Sequence, residues 1–318
     1  MFWQVGRCAQ PVELLANALA VLFNVALQVA HLTWRPIDSN ARRFRFLSLL
    51  PLGLLHAVGA ALGWLAFLAS PIYRRRLLDN AALAGYRFAN VRAAVGHAGR
   101  MVAELPRLWL GAPPPCRLVG ESCVNEAYAA GRGIVFLTPH LGCFELSVQA
   151  AARRWSAECG PITVLYRPAR QAWLAKVMET ARNRPGVQAV PTTLAGVRQM
   201  IKALRRGEAV GLLPDQVPPL GQGIWSPVFG RDAYTMTLAA RLALQTGAAV
   251  VLARCERLPW GRGFVTYFEP LAAPLQPPLE LAVQHINQAM ERTIAQCSAV
   301  FVGLWPLQTA ARRGRHYP

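Results

Sequence analysis

From residue 71 onward, short apolar runs alternate with stretches of helical periodicity, and this alternation constrains the fold more than any other feature. Apolar runs at 133–138, 162–166, 187–190, 209–213, 248–254 and 263–268 predict strands. Helical patterns occupy 122–130, 145–156, 171–182, 193–206, 235–246 and 279–297. Runs such as Gly133-Ile134-Val135-Phe136-Leu137 show no polar alternation, so both faces of the strand are expected to be covered. The expected class is α/β: a single domain with a central, mostly parallel or mixed sheet flanked by helices. Two further helical stretches, 74–88 and 90–110, precede it and stop at Gly111-Ala112-Pro113-Pro114-Pro115.

Residues 47–70 are almost uncharged and about long enough to cross a bilayer. Trp64 lies near one end, and Arg74-Arg75-Arg76 follow, which places that end on the cytoplasmic side. Arg42, Arg43 and Arg45 precede the segment, however, so a buried or interfacial helix is the competing reading. A weaker apolar run, 11–32, is interrupted by Glu13, Asn17, Asn24 and Gln28 and lacks a cleavage-site pattern. The expected organisation is therefore an extension (1–46), a transmembrane or membrane-anchoring helix (47–70), a catalytic domain (71–297) and an atypical tail (298–318).

Charge narrows the partners. The 318 residues carry 34 Lys and Arg against 16 Asp and Glu, a formal +18, and Lys176 and Lys202 are the only lysines. A surface this rich in Arg suits phosphates and carboxylates: anionic lipid, a phosphorylated substrate or an acidic carrier protein. Nucleic acid fits the charge but is not expected, since no zinc-finger spacing, RNA-binding motif or groove-reading basic helix is present. The seven cysteines are scattered without a CxxC, so neither a disulfide framework nor a zinc site is readable. Cys143 reads as a small apolar filler.

The chemistry-bearing stretch is Thr138-Pro139-His140-Leu141-Gly142-Cys143-Phe144-Glu145. Residues five apart on one helix diverge by about 140°. His140 and Glu145 can therefore converge only if His140 sits in a loop and Glu145 in the first turn of the next helix. An imidazole there, oriented by a carboxylate, is a general-base arrangement. Three segments share the layout of apolar strand or helix followed by polar residues. They are Leu165-Tyr166-Arg167-Pro168, Arg182-Asn183-Arg184-Pro185 and Gly211-Leu212-Leu213-Pro214-Asp215-Gln216. The carboxyl ends of strands are where α/β folds gather ligands.

In this order the segments resemble the lysophospholipid-acyltransferase superfamily. Within it the chain is most similar to the lipid A lauroyl/myristoyl acyltransferases of Gram-negative bacteria. Glu145, and Leu213-Pro214-Asp215-Gln216, stand where the glycerol-phosphate branches carry Asp and Pro-Glu-Gly-Thr. The resemblance, over about 49–296, also takes in Ser70-Pro71-Ile72-Tyr73, the Phe229-Gly230 turn before a helix, and Thr246-Gly247-Ala248. It implies acyl transfer from acyl carrier protein to a hydroxyl of a phosphorylated lipid A precursor; the alternative is an acyltransferase on another lysolipid or glycolipid, or an inactive membrane-associated member of the family. His140 would be the base and Glu145 its orienting carboxylate, with the oxyanion met by the following helix N-terminus or an arginine. Arg167 and Arg182 would bind acceptor phosphate or order the site, and Asp215 would orient one of them. No metal or organic cofactor is implied. The implied location is the bacterial inner membrane, with the catalytic domain facing the cytoplasm. The tail departs from the family's usual Gln-Tyr-Leu-Trp ending, and a one-base frame shift near residue 299 would restore it.

Overall fold

A computed structural model describes residues 38–166 and 184–297. The expected helix at 171–182, the apolar run 11–32, the tail from 298, and the side chains of Arg167 and Arg182 lie outside these described residues.

The N-terminal part is helical: α1 (Asp38–Leu49), α2 (Leu52–Ala69), α3 (Pro71–Leu83), α4 (Phe88–Ala103) and α5 (Leu105–Leu110). The core then follows as β1 (Cys116–Val119), α6 (Glu121–Ala129), β2 (Ile134–Leu137), α7 (Phe144–Cys159), β3 (Ile162–Tyr166) and β4 (Val187–Pro191). Next come α8 (Leu194–Arg205), β5 (Ala209–Leu212), the hairpin β6 (Gly223–Val228) and β7 (Arg231–Met236), and α9 (Leu238–Thr246). The chain closes with β8 (Ala249–Arg257), β9 (Phe264–Pro270) and α10 (Leu279–Gln296).

Seven strands form one sheet in the order β1-β9-β8-β2-β5-β3-β4. Every pairing is parallel except β8 with β9, so the expected mostly parallel, mixed sheet is present. All four residues of β2 are buried because helices cover both faces. Val135, Leu137, Val210, Leu212, Val250 and Leu252 face one core with α8, α9 and α10. Ile134, Phe136, Ala209, Val251 and Ala253 face the other, against Val124 of α6 and Ala151, Ala152 and Trp155 of α7. The chain leaving β2 runs through α7 to β3, beyond β5, whereas the chain leaving β5 returns through α9 to β8, beyond β2. The two exits therefore part to opposite faces and open a crevice at the carboxyl ends of β2 and β5.

Three elements differ from expectation. The edge strand β1 has only Leu118 and Val119 as adjacent apolar residues beyond Arg117, too short a run to register. The β6–β7 hairpin contains Gly223 and Pro227 and turns through Phe229 (φ 46) and Gly230 (φ 72). Positive φ at both central residues is what a type I′ two-residue hairpin turn requires. The Phe229-Gly230 turn thus joins two strands, and the helix expected from 235 begins at Leu238.

The third difference is the apolar segment 47–70, which is not one helix. Residues 47–49 end α1, and Pro51, extended at φ −57 and ψ 137, separates it from α2. The expected boundary at residue 46 falls inside α1. Phe44 of that helix is buried against Trp109, ring centroids 5.9 Å apart, in a cluster that includes Cys143 and Leu146. α2 packs along α4 through glycines. A Cβ on Gly99 would strike the Gly59 carbonyl oxygen, and one on Gly63 the Val95 carbonyl oxygen, so the two backbones touch.

Candidate active site

Register brings the site together. β2 and β5 pair in parallel with Leu137 opposite Leu212, so His140 and Asp215 each lie three residues beyond a matched pair. The intervening loop is pinned along its length. Thr138 N–H donates to the Leu212 carbonyl at 3.2 Å, and Cys143 N–H to the Cys255 carbonyl of β8 at 3.0 Å. Gly142 adopts φ 61, a left-handed conformation that suits glycine.

Within this loop the His140 amide donates to Asp215 Oδ2 at 2.7 Å, and His140 Nδ1 lies 2.6 Å from Asp215 Oδ1. A carboxylate can only accept, so the proton sits on Nδ1 and Nε2 is left as an acceptor. The Gln216 amide nitrogen lies 3.1 Å from Nε2. Phe144 packs edge-on to the imidazole, centroids 4.8 Å apart. Burial pushes the His140 pKa down, but the charge and hydrogen bond of Asp215, joined by the charge of Glu145, outweigh it. The net shift is upward from 6.5.

Glu145 occupies the first turn of α7, as its spacing from His140 requires, yet it makes no hydrogen bond to the ring. Asp215 makes that bond instead, because the parallel register places it at the same level as His140. The charge of Glu145 adds to the upward shift of the imidazole pKa. Arg167 and Arg182 are not among the described residues; Arg184, two residues beyond the latter, donates to the Gly111 carbonyl at 3.2 Å. Gln216, the last residue of the Gly211–Gln216 segment, is exposed and stands at the free imidazole nitrogen. Its signal lay in the same register argument, one residue beyond Asp215. Cys143 is buried, and burial raises its thiol to about 11, which fits a filler and not a nucleophile. Among the described residues, no group of three or more His, Cys, Asp or Glu side chains could hold a metal ion.

Behind the loop lies a buried charge network absent from the sequence reading. Arg257, at the end of β8, grips Glu104 through Nε at 2.8 Å and a terminal nitrogen at 2.6 Å. The same terminal nitrogen donates to the Gly142 carbonyl at 2.7 Å. His56 of α2 reaches Glu104 Oε2 at 2.9 Å. Burial works to raise the Glu104 pKa, but the Arg257 charge and the bonds from His56 and Arg257 hold it at about 2. One fork of Arg257 therefore ties the His140 loop to the helical N-terminal layer.

Two comparisons bear on this arrangement. A family model described as bacterial lipid A biosynthesis acyltransferase matches residues 43–306, beginning inside α1 and reaching into the tail. The chain is also similar to a lipid A biosynthesis lauroyltransferase of Escherichia coli (strain K12), 25% identical over 189 residues. That alignment covers 59% of this chain and spans 60% of the length of the relative.

Proposed function

The chain belongs to the bacterial lipid A biosynthesis acyltransferase family, and from that premise we propose that it transfers a fatty acyl chain from acyl carrier protein to a hydroxyl of a phosphorylated lipid A precursor. The observation that carries this reading is the His140–Asp215 pair, with Nε2 unprotonated and the exposed Gln216 side chain 3.1 Å from it. When Gln216 moves aside, an acceptor hydroxyl takes its place.

Nε2 accepts the hydroxyl proton as the oxygen attacks the thioester carbon. A C–O bond forms, and the carbonyl becomes a tetrahedral oxyanion at the N-terminus of the sixteen-residue α7. The C–S bond then breaks, and the imidazolium returns the proton to the leaving sulfur. Asp215 fixes the tautomer and, with Glu145, stabilises the imidazolium that forms. Arg167 and Arg182 are assigned, by their motif positions, to the acceptor phosphates or to ordering the site. The formal charge of +18 favours a phosphorylated acceptor, an acidic carrier and an anionic membrane surface. The proposed location is the bacterial inner membrane, with this domain on the cytoplasmic face.

Mass spectrometry of lipid A from cells with and without the gene tests the reading. One acyl chain more per molecule in the gene-bearing cells is the expected result. Identical spectra in cells shown to contain the folded protein would contradict it.

A further inference from the structure

α2 carries two apolar faces on opposite sides. Leu52, Leu55, His56, Gly59, Gly63 and Phe67 are buried. Leu54, Val58, Leu65 and Leu68 are 49, 49, 48 and 65% exposed, with Ala61 exposed between them. At about 100° per residue, positions 54, 58, 61, 65 and 68 fall within an arc of about 80°, with the buried set on the far side. The stripe runs most of the helix, about 21 Å at 1.5 Å per residue.

A helix that spans a bilayer is surrounded by lipid or by other spanning segments. α2 is instead backed along its length by α4, which carries Arg92, His97 and Arg100. Its His56 is bonded into the Arg257–Glu104 pair, and its Gly53 lies against the Trp260 backbone of the β8–β9 loop. Were α2 to cross the hydrocarbon, Arg92, Arg100 and the Arg257–Glu104 pair would cross with it, at a cost that isolated spans avoid.

The β8–β9 loop supplies a second, separate observation. Trp260 is 90% exposed and sits at φ 60, a left-handed backbone that costs a bulky residue free energy. An indole offered to solvent on a strained turn suits the membrane interface, where one end of the ring is apolar and the other wet. Exposed arginines bracket α2 along the chain: Arg43 and Arg45 before it and Arg75 and Arg76 after it, with Arg262 two residues beyond Trp260. The α2–α4 seam opens into a groove of about 380 Å³ lined by Trp64 from α2 and by Arg92 and Arg100 from α4.

We propose that α2 lies in the plane of an anionic membrane, with its Leu54–Leu68 stripe and Trp260 immersed together at one shallow depth, so that this helix engages the bilayer from one side and does not cross it. The geometry rests on the membrane placement above and not on the transfer chemistry.

Nitroxide depth measurement on the full chain tests it. A ketone-bearing residue placed singly at 54, 58, 65, 68 or 260 takes a hydroxylamine spin label and leaves the native cysteines untouched. The protein is reconstituted in phosphatidylethanolamine–phosphatidylglycerol vesicles. Equal oxygen-to-nickel accessibility ratios at all five positions, each several-fold above an exposed control at Leu194, are expected. A ratio that peaks in the middle of α2 and falls at both ends would overturn the in-plane geometry alone. Ratios at the control level throughout would overturn it together with the membrane placement.

Discussion

One carboxylate holds His140 twice: Asp215 accepts from the His140 amide at 2.7 Å and from Nδ1 at 2.6 Å. Loop and ring are thus positioned by the same group. Asp215→Asn keeps the shape but allows the amide to donate to Nδ1, which puts the proton on the nitrogen that must stay free. We expect kcat to fall by about 10³-fold, the middle of the range for losing a well-placed general base, with KM changed by less than about threefold. Steady-state kinetics on the folded variant decide this, and a loss confined to KM would argue against a tautomer role.

The pH profile carries its own sign. A general base works unprotonated, so the rate should rise with pH through the His140 pKa, which lies above 6.5 because Asp215 and Glu145 outweigh burial. Glu145→Gln removes one of the carboxylate charges that favour the imidazolium. The acid limb of kcat/KM should therefore move to lower pH, with less loss at its plateau than in Asp215→Asn. An unmoved limb would show that Glu145 does not act through charge.

Glu104 and Arg257 are a buried pair, and removing one partner strands the other. Glu104→Ala should lower stability by about 3–5 kcal/mol, read by denaturant unfolding. Because the folded Glu104 pKa is depressed from 4.5 to about 2, its contribution is present above 4.5 and lost as pH falls toward 2. The difference between wild type and Glu104→Gln should narrow over that window. Arg257→Lys keeps the charge but replaces the planar fork by a single nitrogen, so the two-point grip on Glu104 is lost and the hold on the Gly142 carbonyl loosens. It should therefore lower kcat while leaving the His140 acid limb in place.

Gly99 faces the Gly59 carbonyl oxygen, and backbone cannot yield as a flexible side chain does. Gly99→Ala should push α2 from α4 and cost about 1–3 kcal/mol. Thermal unfolding in detergent measures it; an unchanged midpoint would mean that the two helices are not in backbone contact.

Much of this was legible in the chain. The β2, β3 and β5 runs are continuous and apolar because both faces of the sheet are covered, and they fall within a residue or two of where they were expected. His140 was legible because a strand ends just before it. Its hydrogen-bond partner was not. Glu145 is close in sequence and Asp215 is 75 residues away, and only the pairing of β2 with β5 brings Asp215 alongside. Long-range register leaves no local pattern. The same is true of Arg257, whose role depends on β8 lying next to β2. The β6–β7 hairpin was missed because Gly223 and Pro227 disguise a strand.

The central claim is that His140 removes the acceptor proton in an acyl transfer. A single-turnover assay tests it most directly, using purified protein, radiolabelled acyl-acyl carrier protein and tetra-acylated lipid A precursor. The account predicts label in the lipid and one thiol released per acyl chain moved, with His140→Ala slower by at least about 10²-fold at unchanged folding. Full transfer by His140→Ala, or none by the folded wild-type protein, would contradict it.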